Sequence, residues 1–209
     1  MIDILLVDDH AMFREGLKQI LAKQIDLHVV GEVGNGISAI EEIRRHQYSL
    51  VILDISLPGE SGWDILSKIK QEQPHLPVLI LSMHPEDQYG IRMLRAGASG
   101  YVSKESAAED LITAIRKVAS GGRHVSAALA EKLAFAIDAN VKEQPHHLLS
   151  NREFQVMCML ASGQTLKEIA DALCLSEKTI TTYRTRILEK LNLRNNVELT
   201  HYAIQNKLL

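Results

Sequence analysis

Five short apolar runs punctuate the first 120 residues, at 4–7 (ILLV), 29–33 (VVGEV), 50–53 (LVIL), 78–81 (VLIL) and 101–102 (YV). Amphipathic stretches of helical period separate them, near 11–23, 37–46, 62–72, 86–96 and 107–119. Runs this short and this uniformly apolar do not suit a sheet with one wet face; they suit a parallel sheet covered on both sides. Five strands alternating with five helices predict a doubly wound α/β domain. Functional groups should then gather at the carboxyl ends of the strands.

The pattern changes past residue 122. Residues 126–137 (SAALAEKLAFAI) have helix-forming composition, and 138–149 contain Pro145 among mixed polar residues, so a short helix and a linker are expected. Nothing nearby completes a metal site with His146 and His147, which are read as solvated linker residues. From 150 onward every signal is helical. Ser150 with Glu153 and Thr165 with Glu168 fit the capping box, Ser176 caps a third helix to about Leu191, and Asn195 or Asn196 caps a fourth ending near Lys207. Gly163 falls in the turn after the first. Four short helices in this span predict a compact all-α bundle.

Charge separates the two parts. The chain of 209 residues has a net charge of −3, but residues 1–122 hold 12 Lys and Arg against 17 Asp and Glu, whereas 150–209 hold 8 against 6. An acidic front and a mildly basic back imply different partners and exclude a uniformly basic nucleic-acid coat. The only cysteines, Cys158 and Cys174, form no CxxC and lie among apolar residues, which predicts two buried free thiols in a reducing compartment. No apolar run reaches the ~18 residues of a membrane span. Met1 leads into a strand rather than a basic signal segment. A cytoplasmic protein is expected.

Chemistry-bearing residues fall after successive strands: Asp8 and Asp9 after the first, Asp54 after the third, Ser82 after the fourth, Lys104 after the fifth. In a sheet of order 2-1-3-4-5 the three acids converge on one edge. Three carboxylates that close repel unless a cation sits among them. A hard divalent ion such as Mg²⁺ is the natural partner, binding through one or two carboxylates and a phosphate. Lys104 and Ser82 could hold two oxygens of a phosphoryl group arriving at Asp54. Singly, each aspartate could be a helix cap; the conjunction on one rim is what argues for a site.

Val7-Asp8-Asp9-His10, the run 53–59 (LDISLPG), Ser82 and Tyr101-Val102-Ser103-Lys104 resemble the receiver domain of a bacterial response regulator, over about residues 1–120. The resemblance implies a flavodoxin-like fold and a histidine kinase partner that phosphorylates Asp54. It implies that Asp9, Asp54 and the backbone carbonyl of Ser56 bind Mg²⁺, with Asp8 acting mostly through water. Ser82 and Tyr101 match the hydroxyl and the aromatic of the family's switch; a plain edge-strand packing role is the other reading of Tyr101. Glu105 follows Lys104 where many receivers have proline. Ser56 and His84 occupy variable positions expected to flank the phosphate.

In the third C-terminal helix, Ile180, Tyr183, Ile187 and Leu191 define a buried stripe. The opposite face presents Lys178, Thr181, Thr182, Thr185 and Glu189, with Arg186 on a flank, and residues 176–194 hold five basic against two acidic residues. Hydroxyls and cations without aromatic bulk suit a helix lying in the major groove, although most amphipathic helices have a solvated face. Residues 149–153 (LSNRE), Ile169-Ala170, 175–180 (LSEKTI) and 188–191 (LEKL) resemble the LuxR-type helix-turn-helix of NarL/FixJ-type regulators, over about 148–207. The resemblance makes 165–173 the scaffold helix and 176–191 the recognition helix. Thr181, Thr182 and Thr185 sit where the family touches base edges, and Lys178, Arg184 and Arg186 are the phosphate-contact candidates. Many relatives carry Lys at position 181 and His at 183. Asn196 replaces a frequent arginine, at the expense of a phosphate contact or an interhelical bond. The closing segment looks like the helix through which such domains pair.

The expected organisation is thus a receiver at 1–122, a linker helix and linker at 123–147, and a helix-turn-helix domain at 148–209. The expected function is a transcription regulator of a two-component phosphorelay, dimerising on phosphorylation to bind operator half-sites, with RNA polymerase as a further partner. Two other readings fit parts of the pattern. A Mg²⁺-dependent phosphohydrolase with an aspartyl-phosphate intermediate fits the pocket, but no second acid/base residue or substrate cap is evident. A phosphorylation-independent DNA binder fits the helices, but every pocket residue is present.

Overall fold

The computed structural model describes residues 1–57, 60–84, 86–131, 145–206 and 208. The chain forms two compact units, Met1–Leu133 and Ala134–Leu209.

The first unit alternates β1 (Ile2–Val7), α1 (Ala11–Leu21), β2 (Leu27–Val33), α2 (Gly36–Arg45), β3 (Leu50–Leu53), α3 (Gly62–Glu72), β4 (Val78–Ser82), α4 (Glu86–Arg95), β5 (Gly100–Ser103) and α5 (Ala108–Ala119). The five strands are parallel, in the expected order β2-β1-β3-β4-β5. The starts of α2 and α3 follow from side chains able to satisfy the free backbone donors. Asn35 accepts from the Ser38 N–H and Ser61 from the Trp63 N–H.

Burial on both faces holds for β1, β3 and β4. Ile4, Leu6, Ile52, Leu79 and Leu81 pack with Leu111, Ile115 and Val118 of α5, each large aliphatic side chain contributing about 1.5–3 kcal/mol. It fails for β2. That strand is an edge, begins two residues before the expected start, and leaves Val30 and Glu32 exposed.

Past α5 the chain stays with the first unit. His124 bridges to Gly100 alongside β5, and residues 127–131 begin a helix. The rest of the expected linker helix, like Pro58, Gly59 and Lys207, lies outside the described residues.

Among its described residues the second unit has a 3-10 turn (Pro145–Leu148) and four helices: α6 (Asn151–Ala161), α7 (Leu166–Leu173), α8 (Glu177–Leu191) and α9 (Asn196–Gln205). Both capping boxes form, and Ser176 and Asn195 cap α8 and α9. Gly163, Cys174 and Asn192 take positive φ at the helix exits. Two expectations are corrected. Cys174 is exposed because it terminates α7 in the left-handed region, and only Cys158 is buried. His146 is no solvated linker residue: it is 5% exposed, and its Nδ1 lies 3.0 Å from the Tyr202 hydroxyl beside Phe154.

Candidate functional site

Strand register sets the geometry of the acidic pocket. Val7 pairs with Leu53 and Ser82 with Ser103, so the residues just beyond β1, β3 and β5 emerge on one rim. Lys104 closes it. Its ammonium donates to Asp8 Oδ2 at 2.5 Å and to Asp54 Oδ2 at 2.6 Å, and it lies 4.4 Å from the centre of the Phe13 ring. Burial works against the charge on Lys104, but the hydrogen bonds to Asp54 and Asp8 outweigh it and raise the pKa above the ordinary lysine value. The outer carboxylate oxygens are held by the backbone: Asp8 Oδ1 accepts from the His10 N–H at 2.8 Å, and Asp54 Oδ1 from the Ser56 N–H at 2.9 Å. Arg14 pins the turn by donating to the Asp8 carbonyl.

Asp8, Asp9, His10 and Asp54 each place a ligand atom within 4.8 Å of the others. The donor set fits a hard dication. Three carboxylates around one ammonium leave two negative charges in a largely buried site, and carboxylate oxygen is the ligand such an ion prefers. Ser56 is exposed in the turn directly after Asp54. His10 is the residue to which sequence reasoning gave no role; its Nδ1 lies 2.9 Å from Asp9 Oδ1, and only its place directly after the acidic pair signalled it.

On the far side of Asp54, Ser82 is fully buried and its Oγ accepts from the His84 N–H at 3.1 Å. Tyr101, on the edge strand β5, is only 2% exposed and donates its hydroxyl to the His84 carbonyl at 2.8 Å. Burial raises the Tyr101 pKa, so the phenol remains a donor. Burial lowers the His84 pKa, partly offset by the Asp54 charge. The His84 ring stacks on Tyr89 at 4.7 Å, which stacks on Trp63 at 5.3 Å. The loop after β4, the strand β5 and the helices α4 and α3 are thus linked through His84, Tyr101, Tyr89 and Trp63.

In the second unit α8 is fastened by Ile180, Ile187, Leu188 and Leu191, with Tyr183 only half-buried where a full place in the stripe was expected. Lys190 donates to the buried Glu153 at 2.7 Å. Lys178, Thr181, Thr182, Thr185 and Arg186 share the exposed face. The three threonine hydroxyls donate to the carbonyls of Glu177, Lys178 and Thr181, which leaves their lone pairs facing outward as acceptors. Arg184 is less free: it is half-buried and its Nε donates to Asn196 Oδ1 at 2.6 Å. Asn196 therefore supplies an interhelical bond.

Residues 4–116 match the response regulator receiver domain family, and residues 147–203 match the bacterial regulatory proteins of the luxR family. Response regulator UvrY of Escherichia coli K12 is 38% identical, over all of this chain and 96% of its own length. Oxygen regulatory protein NreC of Staphylococcus carnosus is also 38% identical, over 99% of this chain and 98% of its own. Among solved structures, RcsB of Salmonella enterica serovar Typhimurium, bound to the promoter rprA in the presence of the phosphomimetic BeF3-, superposes with a TM-score of 0.65 at 25% identity. It covers 97% of this chain and 98% of its own. Among the described residues no helix is long and apolar enough to cross a membrane.

Proposed function

The chain belongs to the NarL/FixJ-type response regulators, which join a receiver domain to a luxR-family DNA-binding domain, and from that premise we propose that phosphorylation of Asp54 by a histidine kinase switches its binding to DNA. The observation that carries the reading is the Lys104 ammonium bridging Asp8 and Asp54 from three different strands. A carboxylate oxygen of Asp54 attacks the phosphorus of a phosphohistidine. The P–N bond breaks, the imidazole leaves with the electron pair and takes up a proton, and an acyl phosphate remains on Asp54.

Asp8, Asp9, Asp54 and the Ser56 carbonyl would hold Mg²⁺, which when bound supplies positive charge beside the phosphoryl oxygens. Lys104 supplies a second cation. Phosphoryl transfer needs mainly such positioning and charge cancellation. Ser82 can turn its hydroxyl from the His84 N–H to a phosphoryl oxygen, and Tyr101, inward on the His84 carbonyl, follows that loop. The receiver is taken as 1–122 and the DNA-binding domain as 148–209.

On the DNA side, Lys178, Arg184 and Arg186 would meet phosphates and Thr181, Thr182 and Thr185 base edges. One domain neutralises few phosphates; a dimer on two half-sites about doubles the contacts. Dimerisation on phosphorylation is the mechanism of affinity gain, RNA polymerase a further partner, and the cytoplasm the place of action. The likeness to promoter-bound RcsB supports the DNA step.

The test is intact mass after incubation with Mg²⁺ and a small acyl phosphodonor, beside Asp54→Asn. One added phosphoryl group on the wild type and none on the variant is expected. No adduct, together with failure to bind beryllofluoride, would reject the reading.

A further inference from the structure

Beyond α5 the chain adds a short length to the edge of the sheet. The His124 N–H donates to the Ser99 carbonyl at 3.0 Å, and the His124 carbonyl accepts from the N–H of Tyr101 at 3.1 Å. The residue expected to report the state of Asp54 is thus bonded through its own backbone to the segment that leads out of the first unit.

Two residues of α4 hold the same segment from the other side. Glu86 Oε1 accepts from the Ser126 N–H at 3.1 Å, and Ser126 in turn caps the helical turn at 127–131 by accepting from the Leu129 N–H at 3.1 Å. The Glu86 charge also adds to the upward shift of the Tyr101 phenol that burial dominates. Leu129 is completely buried, and it fits because residue 90 is glycine: a Cβ there would lie 2.7 Å from Leu129 Cδ2. A glycine inside a helix is costly, by about 1 kcal/mol against alanine. Here it makes room for one side chain of the departing segment.

We propose that Glu86 and Gly90 of α4 hold residues 123–131 as a coupling segment, so that the β4–α4 loop, Tyr101 and the start of the interdomain chain change state together. The proposal rests on Asp54 being the phosphoacceptor for its input, though not for the contact itself. Glu86 and Gly90 are positioning residues; neither touches the acidic pocket. Coupling is reciprocal: whatever at Asp54 alters the hold on the segment must be altered in turn when the hold is broken.

The experiment is hydrogen exchange by mass spectrometry on the full chain, with and without Mg²⁺ and beryllofluoride, comparing wild type, Glu86→Ala and Gly90→Ala. Intact mass with a phosphodonor is read in parallel. In wild type, loading should change exchange of the 123–131 amides about fivefold or more. Gly90→Ala, which favours α4 itself, should release the 126–131 amides without loading, raise exchange at Tyr101, and abolish the change on loading, while the phosphoryl adduct still forms. If the adduct forms and 123–131 does not respond, the coupling is overturned and the phosphoacceptor reading stands. If no adduct forms and beryllofluoride does not bind, that reading fails, and the unloaded variants decide the coupling. Faster exchange at both 126–131 and Tyr101 upholds it; faster exchange at 126–131 alone overturns it.

Discussion

Lys104 is the only cation among the described residues that touches both the Asp8 and the Asp54 carboxylates, and its side chain is 5% exposed. Removing it strands two buried carboxylates, a loss of about 3 kcal/mol for a broken buried pair. Lys104→Met should therefore lower unfolding stability in urea by about that amount in a divalent-free buffer, and Mg²⁺ should restore part of it. An unchanged midpoint would mean that the acids are stabilised elsewhere. The pH dependence has a definite sign. The folded pKa of Lys104 is raised, so its contribution is fully present below the unfolded value of about 10.4 and is lost as pH rises through the folded one. The alkaline limb of wild-type stability should be steeper than that of Lys104→Met. Asp8, Asp9, Asp54, Ser82 and Lys104 were readable because each follows a recognisable strand. His146 was not: a polar pair next to a proline looks solvated, and its burial depends on Tyr202, 56 residues away.

Among the elements, α8 shows how a helix proposed to face DNA is kept in place. Glu153 accepts from the Ser150 N–H and from Lys190, both at 2.7 Å, so one buried carboxylate serves a cap on α6 and a tie to α8. Burial alone would raise its pKa; the Lys190 and Ser150 bonds overcome that and lower it. Its contribution is therefore present above the usual carboxyl value of about 4.3 and is lost as pH falls through the folded one. Glu153→Gln should destabilise the second unit by about 1–2 kcal/mol at neutral pH and flatten its acid limb below the usual carboxyl value of about 4.3. The exposed cations separate by the same logic. Lys178→Ala should weaken binding to specific and unrelated DNA alike and lower the slope of log affinity against log salt by about one, with no change in melting. Arg184→Ala should also lower the melting temperature, since it breaks the bond to Asn196. Equal melting of the two variants would remove that distinction. The helices were legible from their caps and periodicity. The exposure of Val30 and Glu32 on β2 and that of Cys174 were not, because both depend on what lies beside a segment rather than on the segment.

At the scale of the whole chain, two compact units differ in charge: an acidic first unit holding the phosphoacceptor candidate and a mildly basic second one presenting α8. A ligand that binds one folded unit stabilises that unit by mass action, by about 2.7 kcal/mol at a hundredfold excess over its Kd. For a unit of this size, between the small domains that move 4–8 °C per kcal/mol and the larger ones that move 2–4 °C, that is a rise in melting temperature of roughly 10 °C. Calorimetry with Mg²⁺ and beryllofluoride should therefore move the transition of the first unit. The transition of the second should follow only as far as the segment at 123–131 transmits strain to it. Asp54→Asn should show neither shift. Trp63 supplies an independent assignment. It is the sole tryptophan, is 2% exposed and stacks on Tyr89, so its emission reports the first unit alone. The transition that moves with ligand should coincide with the change in Trp63 emission. A shift confined to the transition that Trp63 does not report would place the ligand in the second unit and contradict the assignment of Asp54.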